Sequence, residues 1–325
     1  MRVFDDAWNR AELPTGAVAT IGNYDGVHRG QRAILEKVVE RSRKLSVPAA
    51  VVTFEPHPAK VLTPEREPRC LTTPAQKARL LSDCAIDLAF VVHFDAEFSR
   101  VEAGDFVEQF LHQRLDLREI YVGSGFVFGH GREGDLALLQ RLGTDTGHGA
   151  HPAWGVKEVM SGGAPISSTR IREAVSTGHV EVAESLLGRP YELVGTVVRG
   201  AGTGRELGFP TINLDTDNEL VPAHGVYVTM VALDEGDGRV RYLPSVTNVG
   251  VRPTIHRDST TTVECHLLDF SEDLYGKTVA IEFLERLRGE RAFPSLEALR
   301  SQIQRDVVAA RTRLAESLTG TFSVG

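Results

Sequence analysis

The sequence predicts two domains of different class: an α/β half with a parallel sheet, followed by an antiparallel β half that ends in a long helix. Three observations carry that expectation. The 325 residues exceed what one core usually serves, because single cores stop growing at roughly 250–300 residues. From Val18 to Leu187 strand-like and helix-like periods alternate, the pattern of a parallel sheet wrapped by helices. Beyond "GRPYEL" at 188–193 the helical period disappears, and β-type runs bounded by turn signals take its place.

In the first half, strands are predicted at "VATIG" (18–22), "AAVVTF" (49–54), "LAFVVHF" (88–94), "EIYVG" (119–123) and "GVKEV" (155–159). Between them, Ile34, Leu35, Val38 and Val39 mark one helical face, Leu80 and Leu81 a second, and Phe106, Val107, Phe110 and Leu111 a third. Doubly wound sheets bind ligands in the loops at the carboxyl ends of their strands, which is where the motifs below lie. Pro190 lacks a backbone donor and disfavours helix at Arg189, so the expected domains are 1–187 and 188–325. The runs "GTVVRG", "GVYVTMVAL", "VRYLPSVTNVG", "TTVECHLLD" and "KTVAIEFLERL" then read as an antiparallel barrel or sandwich. A terminal helix is expected from the cap Ser295, with Leu296, Leu299, Ile303 and Val307 on one stripe.

Composition removes several classes. The formal charge is -8, from 36 basic and 44 acidic residues without a block of one sign, so there is no electrostatic footprint for nucleic acid or an anionic membrane. The first twenty residues carry Arg2, Asp5, Asp6, Arg10 and Glu12, unlike a signal or transit peptide, and no apolar run reaches membrane-spanning length. Cys70, Cys84 and Cys265 are scattered without metal-ligand spacing and are expected to be small buried hydrophobes. A cytoplasmic protein is expected, and a homo-oligomer is compatible with the sequence.

Chemistry begins at "GNYDGVHRGQ" (22–31). A strand ends there in Gly22 and Gly26, which permit tight turning, and His28 stands at a helix N-terminus, where amides and the macrodipole favour an anion. An imidazole in that place can donate to a polyphosphate. Taken alone, a histidine before a helix is as well read as a solvated or structural residue. "TFEPHP" (53–58) holds Glu55 and His57 in a proline-stiffened loop, and "ISSTRIRE" (166–173) combines cap hydroxyls with Arg170 and Arg172.

In the second half, "RGAGTGRELGFPTINL" (199–214) contains Gly200, Gly202, Gly204 and Gly208, which let amides approach phosphate. Pro210 stiffens the segment, while Thr211 and Asn213 alternate onto one face and present two oxygens suited to Mg²⁺. Glu264 lies in the otherwise apolar "TTVECHLLD", on one strand face with Thr262 and His266. It is either an exposed strand position or a general base for attack by an alcohol on a γ-phosphate.

In their order, these motifs resemble the bacterial bifunctional riboflavin kinase/FMN adenylyltransferases over nearly the full chain. "GNYDGVHRG", "TFEPHP", "VGSGFVFGHGREGD" and "ISSTRIR" look like the signature segments of the adenylyltransferase module. "RGAGTGRELGFPTINL", "TNVGVRPT", "VECHLLDF" and "FLERLR" look like the kinase module. The resemblance implies a Rossmann-like nucleotidyltransferase domain and a six-stranded β-barrel kinase domain. It implies ATP, riboflavin and FMN as substrates and Mg²⁺ alongside ATP. By the same resemblance His28 stabilises the transferring phosphate, with Gly22, Asn23, Asp25, Gly26, Gly30 and Gln31 around the nucleotide, and Ser168, Thr169 and Arg172 hold pyrophosphate. His57 and Gly125 lie towards the flavin. Gly202, Gly204, Thr211 and Asn213 bind ATP, the last two with the metal; Glu264 is the base, and Asn248, Arg252, Pro253 and Thr254 lie close to the substrates.

Two positions depart from the family pattern. Gln31 replaces a histidine and Gly125 replaces an acidic residue or asparagine. A neutral donor in place of a charged one costs about 1–2 kcal/mol, roughly a 5- to 30-fold rate loss if felt in the transition state. Attenuated adenylyl transfer is therefore expected. The alternative is a kinase whose first module uses another nucleotide such as CTP, takes another flavin-like acceptor, or serves only as a flavin-binding regulatory module.

Overall fold

The computed structural model describes residues 1–144, 150–200, 204, 207–236, 238–252 and 260–320, side chains excepted at 252, 260 and 317–320. The chain forms two compact units, Met1–Ser168 and Thr169–Gly325. Each has its own core.

In the first unit, β1 (Arg2–Phe4), β2 (Val18–Ile21), β3 (Ala49–Glu55), β4 (Leu88–His93), β5 (Glu119–Gly123) and β6 (Ala153–Val156) make one parallel sheet in the order β1-β4-β3-β2-β5-β6. All of β2 and nearly all of β3 are buried, because helices cover both faces there. α1 (Arg29–Leu45) and α3 (Pro74–Asp83) seal one face through Leu35, Val38, Leu80 and Leu81. α2 (Pro58–Leu62) follows β3 as a single short turn. α4 (Ala103–Asp105) runs into a π-helical stretch, Phe106–Arg114, which with α5 (Leu136–Thr144) covers the other face. The wider π turn lets Phe106, Val107, Phe110 and Leu111 all reach the core, where Phe106 stacks on Phe110 with 5.7 Å between centroids.

Two features differ from the sequence expectation. β1 is a three-residue strand, too short to show alternation, held because buried Phe4 stacks on Phe90 at 5.6 Å. The strand expected at 155–159 instead starts at Ala153, because pairing begins where the Ile120 N–H donates to the Pro152 carbonyl at 3.0 Å. β7 (Met160–Ser161) and β8 (Ala164–Pro165) then form a small hairpin. β2 lies between β3 and β5, so the connections leaving β2 and β5 diverge and open a crevice at their carboxyl ends.

At the opposite end of β5, His112 and His151 stack at 4.2 Å, each only 3% exposed. His151 Nδ1 meets the Leu117 carbonyl at 2.6 Å, while both His112 nitrogens and His151 Nε2 find no hydrogen-bond partner among the described residues. Burial, with the second ring beside it, pushes His112 down to about 4. Because the folded pKa lies below the unfolded one, stability is complete above about pH 6.5 and falls as the pH drops towards 4. The expected loss is on the order of 2–3 kcal/mol, read as a midpoint shift in urea titrations at pH 7 and 4.5. His112→Leu should flatten that dependence; an unchanged slope would exclude His112 as its source.

In the second unit, α6 (Ser168–Thr177) and α7 (Val180–Leu187) precede a closed barrel. Gly188 ends α7 with φ +77°. The barrel is made of β9 (Tyr191–Val198), β10 (Ile212–Thr216), β11 (Gly225–Asp234), β12 (Val240–Arg252), β13 (Thr260–Leu267) and β14 (Thr278–Gly289). They pair antiparallel in the order β10-β13-β12-β11-β14-β9, with β9 closing on β10. Alternation sends Tyr227, Thr229, Val249, Cys265 and Phe283 inwards, all at 0% exposure. Burial pushes the Cys265 thiol above its ordinary range, which keeps it inert. Cys70 and Cys84 are half-buried, unlike the fully buried sites expected, since both sit in segments flanking helix ends.

α8 (Leu296–Gly320) packs on the barrel exterior through Val307 and Ala310 against Val226, Val228 and Val246. Of the expected stripe, Ile303 and Val307 meet this cluster, whereas Leu296 is 68% exposed. The helix starts beyond the edge of the apolar surface. Arg288 of β14 grips buried Asp306 of α8 through three bonds of 2.8–3.2 Å, which fixes the helix in register on the barrel.

Candidate active sites

Within the first unit the crevice loop after β2 carries three residues at positive φ: Tyr24 (+50°), Gly26 (+88°) and Val27 (+42°). A β-branched residue there is strained and needs surrounding contacts to hold it. Asp25 supplies them. Its buried carboxylate accepts from the Leu71 and Thr72 amides at 2.8 and 3.2 Å. Gly26 N–H donates to Thr72 Oγ1 at 3.3 Å, and Tyr24, buried against Gly22, bonds Thr20 at 2.6 Å. The Asp25 carboxylate thus ties the crevice loop to the segment 71–72.

His28, 7% exposed, is the N-cap of α1, and its Nδ1 accepts the Gln31 N–H at 3.2 Å. That bond places the neutral ring's proton on Nε2, making the far nitrogen the donor side. Gln31 completes a capping box by accepting the His28 N–H at 3.0 Å. Residue 31 therefore serves the helix start. Gln31→His is expected to cost about 0.5–1 kcal/mol of stability through the lost cap bond, while raising FAD formation several-fold. An unchanged rate with reduced stability would restrict residue 31 to capping.

Other residues of the first unit meet the same loop. Ser168 Oγ donates to the Asp25 carbonyl at 2.9 Å, joining "ISSTR" to the β2 loop. Gly30 approaches the Ile166 carbonyl, at 3.7 Å from where its Cβ would be. Thr169 and Arg172 lie in the first turns of α6 and belong to the second unit. His57 caps α2 by accepting the Ala59 N–H at 3.2 Å and faces the Asn23 amide at 3.3 Å, while Thr53 Oγ1 holds the Asn23 carbonyl. The Glu55 carboxylate pairs with Lys77 at 3.1 Å. Beside Gly125, the missing side chain's place faces Glu158, whose Oε1 lies 3.7 Å from an added Cβ. Sequence reading did not single out Lys77 or Glu158, because each is brought in by a separate connection.

In the barrel, register assembles a row of polar residues on adjacent strands. Asn213 of β10 pairs with Glu264 of β13, which on its other side pairs with Asn248 of β12. Cross-strand neighbours of this kind stand about 4.5–5.5 Å apart at Cβ. Cys265 points inwards, so Glu264 points out, as alternation with Thr262 and His266 requires. His266 Nδ1 meets the Pro210 carbonyl at 2.8 Å, securing the "GFPTIN" segment on the same face. Gly200 is packed so closely on the Asn213 amide that a Cβ would overlap it, and a Cβ on Gly204 would lie 3.0 Å from Thr211 Oγ1. The glycine-rich backbone thereby covers the two residues predicted to hold ATP and metal. Gly202, Pro253 and Thr254 lie outside the described residues, as does the side chain of Arg252 at the end of β12.

Thr211 and Asn213 offer neutral oxygens, too few for a closed metal cage but suited to a Mg²⁺ that shares substrate phosphates and water. Among the described residues there is no group of three or more His, Cys, Asp or Glu placed to bind a metal by themselves. No helix among the described residues is long and apolar enough to cross a membrane.

A doubly wound unit with a histidine-capped helix at its crevice, followed in one chain by a closed barrel with the Asn213–Glu264–Asn248 row on its outer face, defines a two-domain fold of the bifunctional transferase class. The family described as FAD synthetase matches residues 10–170, and that described as riboflavin kinase matches 187–314. The chain is 38% identical to the bifunctional riboflavin kinase/FMN adenylyltransferase of Escherichia coli K12, covering 96% of this chain and 97% of that protein. With the protein of the same name from Pseudomonas fluorescens it is 40% identical, over 93% and 94% of the two chains. A crystal structure described as a macrolide-efflux protein from Streptococcus pneumoniae superposes with a TM-score of 0.84 at 27% identity, covering 95% of this chain and 98% of that one. The chain belongs to the bifunctional riboflavin kinase/FMN adenylyltransferase family.

Proposed function

We propose that this protein makes FMN from riboflavin in its barrel and FAD from FMN in its doubly wound unit, with the functional boundary between residues 187 and 188 and its place of work in the cytoplasm. The observation that carries the kinase assignment is the Asn213–Glu264–Asn248 row on three adjacent strands. Glu264 takes the proton of the terminal ribityl hydroxyl as its oxygen attacks the γ-phosphorus of ATP. The bond to the β-phosphate oxygen breaks, and ADP leaves with the electron pair. Thr211 and Asn213 would hold the nucleotide and Mg²⁺, which when bound offsets phosphate charge; Gly204 is assigned to the phosphates and Asn248 to the acceptor, and Gly202, Arg252 and Thr254 are assigned to substrate binding from family resemblance.

In the first unit, a phosphate oxygen of FMN attacks the α-phosphorus of ATP and pyrophosphate departs. The His28 Nε2–H donates to the transferring phosphate, where charge builds in the transition state. Gly22, Asn23, Gly26 and Gly30 shape the wall of the nucleotide site, whose loop Asp25 ties to the segment 71–72, and Gln31 presents its amide nitrogen to the polyphosphate. Ser168, Thr169 and Arg172 hold the leaving pyrophosphate, and His57 and Gly125 lie on the flavin side. Support comes from Ser168 and His28 both being tied to the loop 25–31.

The test is product analysis of the purified chain with riboflavin, Mg²⁺ and ATP, then with FMN and each of the four nucleoside triphosphates. FMN followed by FAD is expected. FMN alone, or a dinucleotide made only with another triphosphate such as CTP, would overturn the adenylyltransferase half.

A further inference from the structure

The barrel exterior carries a second carboxylate that the reaction outlined above does not use. Glu290 immediately follows β14, whose Gly289 pairs with Gly225 of β11, while Gly225 pairs with Val249 of β12. One residue further along, His224, Gly250 and Thr262 fall level with Glu290, in the row next to Asn213–Glu264–Asn248. His224 Nδ1 and Glu290 Oε2 are 3.9 Å apart, consistent with that placement.

Gly250 decides what fills this row. A Cβ at 250 would lie 2.7 Å from Glu290 Oε1 and 3.1 Å from Asn248 Nδ2. Any side chain there would have to displace the carboxylate or the amide, so the glycine allows both to lean over the same small hollow. By register Thr262 lies opposite Gly250, and Glu264 opposite Asn248, so the residues around this point are polar. Glu290 is 46% exposed at the side chain, and His224 Nδ1 lies at ion-pair rather than hydrogen-bond distance from it. A weak surface pair does not account for a carboxylate seated on a glycine beside the reaction row.

We infer that Glu290 is a positioning residue of the kinase: its carboxylate, held over Gly250, accepts hydrogen bonds from hydroxyls along the acceptor's polyol chain while Glu264 takes the proton from the reacting one. This inference rests on the assignment of Glu264 as base. Carboxylate acceptors suit a chain of O–H donors, and Asn248 between the two carboxylates can serve both as donor and as acceptor to the same chain. Fixing the chain at a second point aims its terminal oxygen at the γ-phosphorus, a gain made through binding and orientation rather than through proton transfer.

The experiment uses the full-length protein with riboflavin and with a flavin whose side chain keeps the terminal hydroxyl but lacks the inner ones. Glu290→Ala is expected to raise the KM for riboflavin about 10- to 100-fold, with kcat changed less than about threefold and the KM for ATP unmoved. Glu290→Gln, which keeps a carbonyl acceptor, should fall between. On the deoxy analogue the wild type and Glu290→Ala should differ little, since the hydroxyls that Glu290 holds are absent. An unchanged riboflavin KM, a fall in kcat at constant KM, or an undiminished effect on the analogue would each overturn the inference. FMN adenylylation by the same preparations reports folding of the other unit; circular dichroism of each variant reports the barrel, and Glu290→Gln decides if Glu290→Ala misfolds. Glu264→Ala separates the two levels: turnover surviving in that variant overturns the kinase site itself, whereas its loss beside a normal Glu290→Ala overturns only the role of Glu290.

Discussion

Glu264→Ala is expected to lower riboflavin phosphorylation by about 10²- to 10⁴-fold, the range associated with losing a positioned general base. Its neighbours Asn213 and Asn248 remain in place, because the strand register that pairs them is carried by backbone bonds. The KM for ATP should therefore change little, and the loss should appear in kcat. Glu264→Gln should be nearly as impaired, since an amide fills the space without accepting a proton. FMN adenylylation should stay within about twofold of the wild type. Steady-state rates for both reactions on the same preparation make the comparison. Retention of kinase turnover would remove Glu264 from the chemistry, and parallel loss of both reactions would mean that the two units do not act independently.

His28 should show the converse pattern. His28→Ala is expected to lower FAD formation by about 10²- to 10³-fold, the scale of one preorganised donor to developing charge, with riboflavin phosphorylation preserved. Alanine also removes the cap on α1, which costs roughly 0.5–2 kcal/mol. His28→Asn separates the two effects, because asparagine is a strong N-cap but does not extend a donor as far as Nε2. Stability recovered without FAD formation would place the role of His28 in the transition state. Recovery of both would make it a capping residue, which its bond to the Gln31 N–H already shows it to be in part.

Much of this was legible from local pattern. Period-two alternation put Glu264 outside the barrel with Thr262 and His266, and inward-facing Cys265 agrees. The fatty runs at 18–21 and 49–54 announced strands covered on both faces. The helix start at Ser295 was recognisable as capping chemistry, which acts over three or four residues. Where a signal needed length or a partner, pattern failed. β1 has three residues and depends on Phe90 for its stability. β6 is set two residues upstream of its apparent pattern by pairing with β5. Leu296 continues a helical stripe but overhangs the surface that the stripe covers.

The sequence by itself determined the class of each half, the order of the motifs and the residue types available for phosphate chemistry, because these depend on short-range backbone preferences and on side-chain chemistry. Tertiary structure decided what those residues face. Asp25 was tied to Leu71 and Thr72, Gln31 was drawn into the cap of α1, and register brought Asn213, Glu264 and Asn248 side by side from three separate strands. Glu290 was seated over Gly250 by the closing of the barrel. Those outcomes are contacts between distant segments, which are selected by burial and strand pairing over the whole domain and leave no local trace in the chain.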